Sequence, residues 1–502
     1  MKKITRMKIK KGRTMKRTTL VLGACFTTLM ISTSGAQAQT AQDVLDSRFR
    51  AAQALIDARL TKESVPGAAI GVVHDQSLIW SHNFGVESLV TKAPVTDDTL
   101  FSICSVSKLF TGIAAMSLVE DGKMALDAPI SDYVGRAVPL GETGAQEAAS
   151  VRGVLSHVAG LPREFVTDYW ADNSFPDTQG LRAEVSNQTQ LYKPYDHWQY
   201  SNLGMAMLGE AVAKASGKSW GDYVDETILA PLGMNTTTVD MPFEIVGAGF
   251  ANGYYIRSPD GKREAVEEHN FRAFAPAAGI ASSVNDMAKF ASWNFRLRAS
   301  GDPEILKATT LAQMQRVHWT GEDFNEPAWG LAYATRRYGK KTLWGHNGYC
   351  PGARTEFVMR MPTKTGVIMM TSANDVSPGD FVKTVYALTS DAIEAVHGED
   401  AQKPDKKKSK KPKVKLSDYE GYYKVTNYDW DSYVGLNEDG LFMLSIFDDD
   451  AVEKMQSLVH EEGDRFRRKR KDGSLAEAVT FERGPNGQIS AVVQHSHRST
   501  KR

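Results

Sequence analysis

The chain predicts a mixed α/β (α+β) domain followed by a small C-terminal antiparallel β domain. Three observations lead there. Strand-like runs stand at 67–84 and again at 328–374, with a long, largely helix-patterned stretch between them. A lysine-dominated run carrying two prolines, 403–415, has no apolar face to pack. Beyond it, 416–502 consists of short alternating runs broken by Gly-bearing turns.

Taken in order, 41–63 reads as an opening helix. Gly67–His74 and the run 77–84 read as two strands about a turn at Asp75-Gln76. Apolar residues then recur at mostly helical intervals from Val106 to Leu118, and Gly122 stops the pattern. Val154-Leu-Ser-His157 is a short helix running into a Gly/Pro turn, where His157 is more simply structural than catalytic. From Tyr169 to Trp198 the chain reads as an aromatic loop, suited to lining a substrate pocket. Helices follow through Met205–Ala215, around Trp220–Leu229, and from Ser283 to Leu297, the last opened by a capping-box-like Ser283-x-x-Asp286. Strands are expected at Trp329–Tyr333, Thr342–His346, Thr355–Met361 and Gly366–Thr371. In the C-terminal part they are expected at Tyr419–Val425, Leu441–Phe447, Ala478–Phe481 and Ile489–Val493, with turns at Asp439-Gly440, Asp472-Gly473 and Asn486-Gly487.

Composition bounds the function. The 502 residues are 42% hydrophobic and 24% charged, with 60 basic against 60 acidic side chains. This suits a globular protein with room for one large domain and a smaller one, and gives no basis for a nucleic-acid partner. Three cysteines make no disulfide framework and no metal-like Cys/His spacing occurs, so neither metal nor cofactor is expected. Residues 1–38 read as an export signal, with basic residues crowding 2–17, an apolar run from Leu20 to Ile31, and the small-x-small site Ala36-Gln37-Ala38. Cleavage after Ala38 implies a periplasmic or secreted protein with no integral membrane segment in the mature chain. Leu22-Gly-Ala-Cys25 is a lipoprotein-like alternative, and Met15 an alternative start. The domain reading is therefore 1–38 signal, 42–400 main domain, 403–415 linker and 416–502 β domain.

Three short motifs carry chemistry. Ser105-Val-Ser-Lys108 is the only Ser-x-x-Lys in the chain. On a helix this spacing puts both side chains on one face, and a lysine kept neutral by burial can hold the serine's proton. Tyr200-Ser-Asn202 is the only Tyr-x-Asn, directly before a helix. His346-Asn-Gly348 ends an apolar strand and is followed by Pro351-Gly352 before the next strand. Lys364-Thr-Gly366 also has the look of a motif, but it lies in a polar turn after Met361-Pro.

Together with Leu155-Ser-His-Val-Ala-Gly-Leu-Pro162, these motifs resemble the serine β-lactamase and penicillin-binding protein superfamily. The resemblance is to the branch of class C β-lactamases, D,D-carboxypeptidases, D-aminopeptidases and related esterases, peptidase family S12, and it covers roughly residues 45–395. It implies the β-lactamase/transpeptidase-like fold, an antiparallel sheet flanked by helices, and residues 416–502 resemble more loosely the lipocalin-like domain appended to some such hydrolases. By resemblance, Ser105 becomes acylated, Lys108 is the base, and Tyr200 relays a proton to the leaving group, for which nearby Lys108 and His346 would have to depress its pKa from about 10. The backbone N–H groups of Ser105 and Tyr349 form the oxyanion hole. Asn202 binds a substrate amide, and Asn347, Gly348, Tyr349 and Arg354 complete the binding side. Cys104 and Cys350, flanking the two oxyanion donors, are then candidates for a disulfide.

His346 stands where relatives carry lysine, which favours substrates without an essential free carboxylate: small D-amino-acid peptides or amides and simple esters. Arg354 is the residue able to restore a cation. The rivals are a true β-lactamase, an inactive peptidoglycan- or partner-binding protein, and a polyanion binder built on the lysine run. Substrate choice resides in the loops around 165–200 and 240–275, and no oligomeric state is indicated.

Overall fold

A computed structural model describes residues 40–135, 138–140, 148–165, 167, 169–267, 269–321, 328–398, 414–426, 430–438 and 440–502. The expected export signal with Cys25, and nearly all of the expected lysine linker, lie outside the described residues.

The elements that frame the site are helix α1 (Ala41–Lys62), strands β1 (Gly67–His74) and β2 (Ser77–Gly85), α2 (Ser107–Glu120), α3 (Asn202–Ser216) and α4 (Val284–Ser300). Strands β3 (Ala328–Trp329), β4 (Ala334–Tyr338), β5 (Lys341–Cys350), β6 (Ala353–Arg360) and β7 (Thr365–Thr371) follow, then helix α5 (Pro378–His397). The seven strands form one sheet in the order β2-β1-β7-β6-β5-β4-β3, antiparallel throughout. The first hairpin is thus joined to the last strand, closing the chain on itself around the helical insertion.

Burial explains the sequence patterns. β1 is apolar on both faces because both are covered. A side chain at Gly71 would sit 2.5 Å from Val284 Cγ1 of α4, so only glycine lets that helix approach. β2 is the sheet edge and only half-buried. On one face, α2, α3 and α4 build a core around Phe110, Leu208, Phe290 and Trp293, where each fully buried large side chain contributes about 1.5–3 kcal/mol. On the other face, α1 and α5 pack against Ile70, Val72, Val358 and Val367. The start of α1 is fixed by a reciprocal cap: Thr40 Oγ1 accepts from Asp43 N (3.1 Å) and Asp43 Oδ2 accepts from Thr40 N (2.9 Å).

The C-terminal part is a closed eight-stranded antiparallel barrel whose strands pair in sequence order, the first (Gly421–Lys424) with the last (His497–Lys501). Tyr419, Tyr423, Phe466 and Phe481 fill its interior. The barrel sits on α1, on the side of the sheet away from α2. Ser47 Oγ accepts from Leu436 N (2.7 Å), Arg48 donates to Asn437 Oδ1 (2.8 Å), Arg59 Nε donates to Ile446 O (2.9 Å), and Arg50 pairs with Glu420 (2.7 Å). Phe442, Leu444 and Ile446 share a core with α1.

Several expectations need correction. The aromatic stretch after Tyr169 is not all loop, for it contains helices at Tyr169–Asp172 and Thr178–Asn187. The second is capped by Asp177 and buries Leu181 and Val185, a stripe masked by the polar residues around it. The expected strand at 329–333 is only Ala328–Trp329, and β4 begins at Ala334, its strand pattern interrupted by the Arg336-Arg337 pair. Four barrel strands were not foreseen: Ser432–Asn437, Gln456–Glu462, Arg465–Lys469 and His497–Lys501. Several of these expose long polar side chains on the outer face. The capping box at Ser283 is half-made: Ser283 Oγ accepts from Asp286 N, but the Asp286 carboxylate turns to Thr236, Thr237 and Lys289 instead.

Candidate active site

Ser105 stands in the 3₁₀ turn Cys104–Val106 that leads into α2. Cys104 holds a φ of 49°, unusual for a residue with a side chain, and is anchored there by a disulfide to Cys350 with Cα atoms 5.7 Å apart. The pairing expected between the two cysteines is thus present. Ser107, the other serine of the motif, serves the turn: its Oγ donates to Cys104 O (2.6 Å) and accepts from Ile280 N (3.0 Å).

Lys108 is fully buried one turn further on. Its Nζ lies 2.7 Å from Asn202 Oδ1, 2.7 Å from Ala277 O and 3.1 Å from Ser105 Oγ. The first two partners can only accept. A neutral amine has two N–H bonds and one lone pair; with both N–H groups spent on those oxygens, the lone pair is left for the Ser105 hydroxyl proton. Burial holds the Lys108 pKa well below the usual lysine value, against the charge of Glu164 and with that of Arg163.

Asn202 begins α3, where Ser201 caps the helix by accepting from Gly204 N (2.8 Å). Tyr200 precedes it, buried, with Lys108 Nζ 4.9 Å and the Arg163 guanidinium 5.0 Å from its ring centre. The lowering expected from Lys108 and His346 does not occur. Burial pushes the hydroxyl above its ordinary 10, outweighing the Ser105 hydrogen bond and Arg163, so resting Tyr200 keeps its proton. His157 lies against Tyr200, ring centres 4.4 Å apart, and its Nδ1 accepts from Ser201 N (3.2 Å). It fixes the Tyr200–Asn202 turn, in keeping with the structural reading.

His346 is buried on β5 with its ring centre 6.2 Å from that of Tyr200. Its Nδ1 lies 2.6 Å from Asn347 O, so this nitrogen carries the proton and Nε2 is left as an acceptor. Burial, aided by Lys108, pulls its pKa down to about 3, and the ring is neutral. Gly348 presses on the Ser105 turn: a Cβ there would meet Ile103 O at 2.3 Å and Cys104 Cβ at 3.0 Å.

Strand alternation sends the next side chains elsewhere. Asn347 and Tyr349 are exposed, and in the register they oppose Glu356 and Arg354 on β6, so all four side chains share the sheet face away from Ser105. Asn347 Oδ1 accepts from Arg336 (2.8 Å), and the Arg354 guanidinium lies 5.2 Å over the Tyr349 ring. Of the residues marked from sequence, the structure gathers Ser105, Lys108, Tyr200, Asn202, His346 and Gly348; it does not bring the Asn347 and Arg354 side chains to them. Lys364 sits in the turn before β7 and pairs with Asp75 (3.3 Å).

Two neighbours were missed. Asn202 Nδ2 donates to Glu164 Oε1 (2.5 Å), and the other carboxylate oxygen accepts from Tyr169 O–H (2.5 Å). Arg163 Nε lies 3.4 Å from Glu164. Both follow directly on Leu161-Pro162, but nothing in the sequence says which carboxylate reaches Asn202.

A family model described as Beta-lactamase matches residues 52–390. "Beta-lactamase-like protein 2" of Dictyostelium discoideum is 26% identical over 472 residues, covering 87% of this chain and 83% of that protein. A D-aminopeptidase of Brucella anthropi is 26% identical over 309 residues, 58% of this chain and 53% of its own length. Among solved structures, the octameric penicillin-binding protein homologue from Pyrococcus abyssi superposes with a TM-score of 0.60 at 20% identity, over 90% of this chain and 99% of that one. That likeness extends the shared fold through the barrel. With its family match spanning most of the main domain, the chain belongs to the β-lactamase family of serine hydrolases.

Proposed function

We propose that this is an exported serine hydrolase that cleaves amide or ester bonds through an acyl-enzyme on Ser105. The observation that carries the reading is the buried Lys108 amine 3.1 Å from Ser105 Oγ, with two acceptor-only oxygens at 2.7 Å to engage both N–H bonds of its neutral form. Lys108 takes the hydroxyl proton as Oγ attacks the acyl carbon. The developing oxyanion is received by the backbone N–H groups of Ser105 and Tyr349, where one donor is typically worth about 3–4 kcal/mol. Tyr200, protonated at rest, gives its proton to the leaving amine or alkoxide and recovers one from Lys108. In deacylation Tyr200 takes a proton from the attacking water while passing its own to the neutral Lys108 amine, which then returns that proton to Ser105 Oγ as the acyl bond breaks. Neutral His346 adds no charge beside Tyr200.

The substrate class follows from that neutrality. With no lysine at His346, nothing on the inner face of β5 is placed to hold a substrate carboxylate, which favours simple esters, amides and peptides with an amino-terminal D-residue. The D-aminopeptidase among the relatives agrees with this. Export is supported by the Cys104–Cys350 bridge, since such bonds persist in oxidising compartments.

The test is a turnover panel on residues 39–502: p-nitrophenyl esters, D- and L-amino-acid p-nitroanilides, a D-Ala-D-Ala peptide and nitrocefin. Ester or D-anilide turnover, lost together with fluorophosphonate labelling in Ser105→Ala, is the expected result. Nitrocefin hydrolysed best would make it a β-lactamase, and no labelling at all would make it a binding protein.

A further inference from the structure

We infer that Glu164 is a positioning residue, whose carboxylate turns the Asn202 amide so that Oδ1, and not Nδ2, faces Lys108. The inference rests on the reading of Ser105 and Lys108 as nucleophile and base. Every group against the carboxylate is a donor: Asn202 Nδ2 at 2.5 Å and Arg163 Nε at 3.4 Å on Oε1, and the Tyr169 hydroxyl at 2.5 Å on Oε2. Tyr169 is buried and packed edge-on against Phe165 and Phe175, so the carboxylate is held from both sides.

The orientation of Asn202 matters because an amide has two unlike ends. With Oδ1 toward Lys108, the amide consumes one N–H of the amine. Turned over, Nδ2 would donate to Lys108 and occupy the lone pair that Ser105 needs. It would also set Oδ1 against the Glu164 carboxylate, acceptor on acceptor. An acceptor-only group at 164 forbids that arrangement. The carboxylate is therefore what makes Lys108 a base toward Ser105 and not merely a buried amine.

Glu164 has a second, electrostatic effect on the same lysine. Its negative charge favours the ammonium, while Arg163 disfavours it. The other titratable groups around Lys108 are Tyr200, which keeps its proton, and His157 and His346, both neutral and themselves held down in part by Lys108. Removing the charge at 164 while keeping an acceptor should therefore move the acid limb of Ser105 reactivity to lower pH.

Two variants separate the effects, read by the pH dependence of fluorophosphonate labelling and by turnover of a p-nitrophenyl ester. Glu164→Gln can still accept from Asn202 Nδ2. Its plateau rate should stay within about threefold of wild type, with the acid limb lowered by about half to one pH unit. Glu164→Met keeps the bulk but offers no acceptor, and should lose about tenfold or more in labelling rate and kcat with KM little changed. The proposal is overturned by a Glu164→Met protein as fast as wild type, or by an unmoved acid limb in Glu164→Gln, which folds even if the methionine variant does not. It is equally overturned if the loss falls only on KM and only for substrates with a free amino group, since Glu164 would then be a substrate contact. Labelling that survives Ser105→Ala, or is absent from wild type, overturns the underlying reading as well and is distinguishable from these outcomes.

Discussion

Cys104 and Cys350 are bonded to each other, one immediately before Ser105 and the other immediately after Tyr349. The bridge thus ties the Ser105 turn to the end of β5 whose backbone faces it, and holds Cys104 in a left-handed conformation. It closes a chain separation of 246 residues.

Removing the bridge should cost both stability and rate. Cys104→Ala/Cys350→Ala is expected to lose about 2–5 kcal/mol of unfolding free energy. It should also lose about tenfold or more in kcat with KM held, as one oxyanion donor drifts. Denaturant unfolding and ester kinetics, with and without dithiothreitol, check both. Wild-type kcat in the double variant would show that the two N–H groups keep their places unaided.

The pH behaviour should belong to Lys108 and not to His346. His346, with its pKa near 3, stays neutral at every working pH, so kcat/KM for an ester should show no inflection near 6.5 from this residue. A matching signature should appear in stability. Folding at neutral pH strips the proton that an unfolded lysine keeps up to about 10.4, so the unfolded chain binds more protons. Between the lowered folded pKa and about 10.4, stability rises with pH. Compared with Lys108→Met, the wild type should gain about 1.4 kcal/mol per pH unit across that window. A difference between the two that is flat from pH 7.5 to 9.5 would mean the amine is protonated in the fold.

Arg354 should not supply the missing cation. Its guanidinium covers the Tyr349 ring on the face of the sheet away from Ser105. Arg354→Ala is expected to leave the ratio of ester to nitrocefin turnover within about twofold of wild type, since an exposed cation–π contact is worth only about 0.5–1 kcal/mol. A selective loss of nitrocefin turnover would place the residue in the substrate site after all.

Brief trypsin treatment should cut within 403–413, yet the two pieces should elute together. The barrel shares a core with α1 and is held by Ser47, Arg48, Arg50 and Arg59. Phe442→Ala, which empties part of that shared core, should cost about 3–5 kcal/mol and allow the pieces to separate on size exclusion. Separation of the cut wild type would mean the interface is too weak to hold without the linker.

The sequence by itself determined the local chemistry. Ser105 and Lys108 are three residues apart, so the helix alone puts them on one face, and both Tyr200 and Asn202 come from one unique motif. Apolar, β-branched runs bounded by turns marked β1, β2 and most of β5 to β7, because buried strands betray themselves by composition. They did not mark β4 or several barrel strands, where long polar side chains such as Arg337, Glu462 and Arg465 face solvent and break the apolar run. Tertiary structure decided whatever depends on residues far apart in the chain. The partner that takes Asn202 Nδ2, the carbonyl of Ala277 that takes the second N–H of Lys108, and the placing of the barrel against α1 are contacts between distant segments. No spacing rule encodes these contacts. The same holds for protonation. Sequence offered Tyr200 two neighbouring cations, Lys108 and His346, but burial, a property of the whole fold, favours the neutral form of both and pushes Tyr200 up.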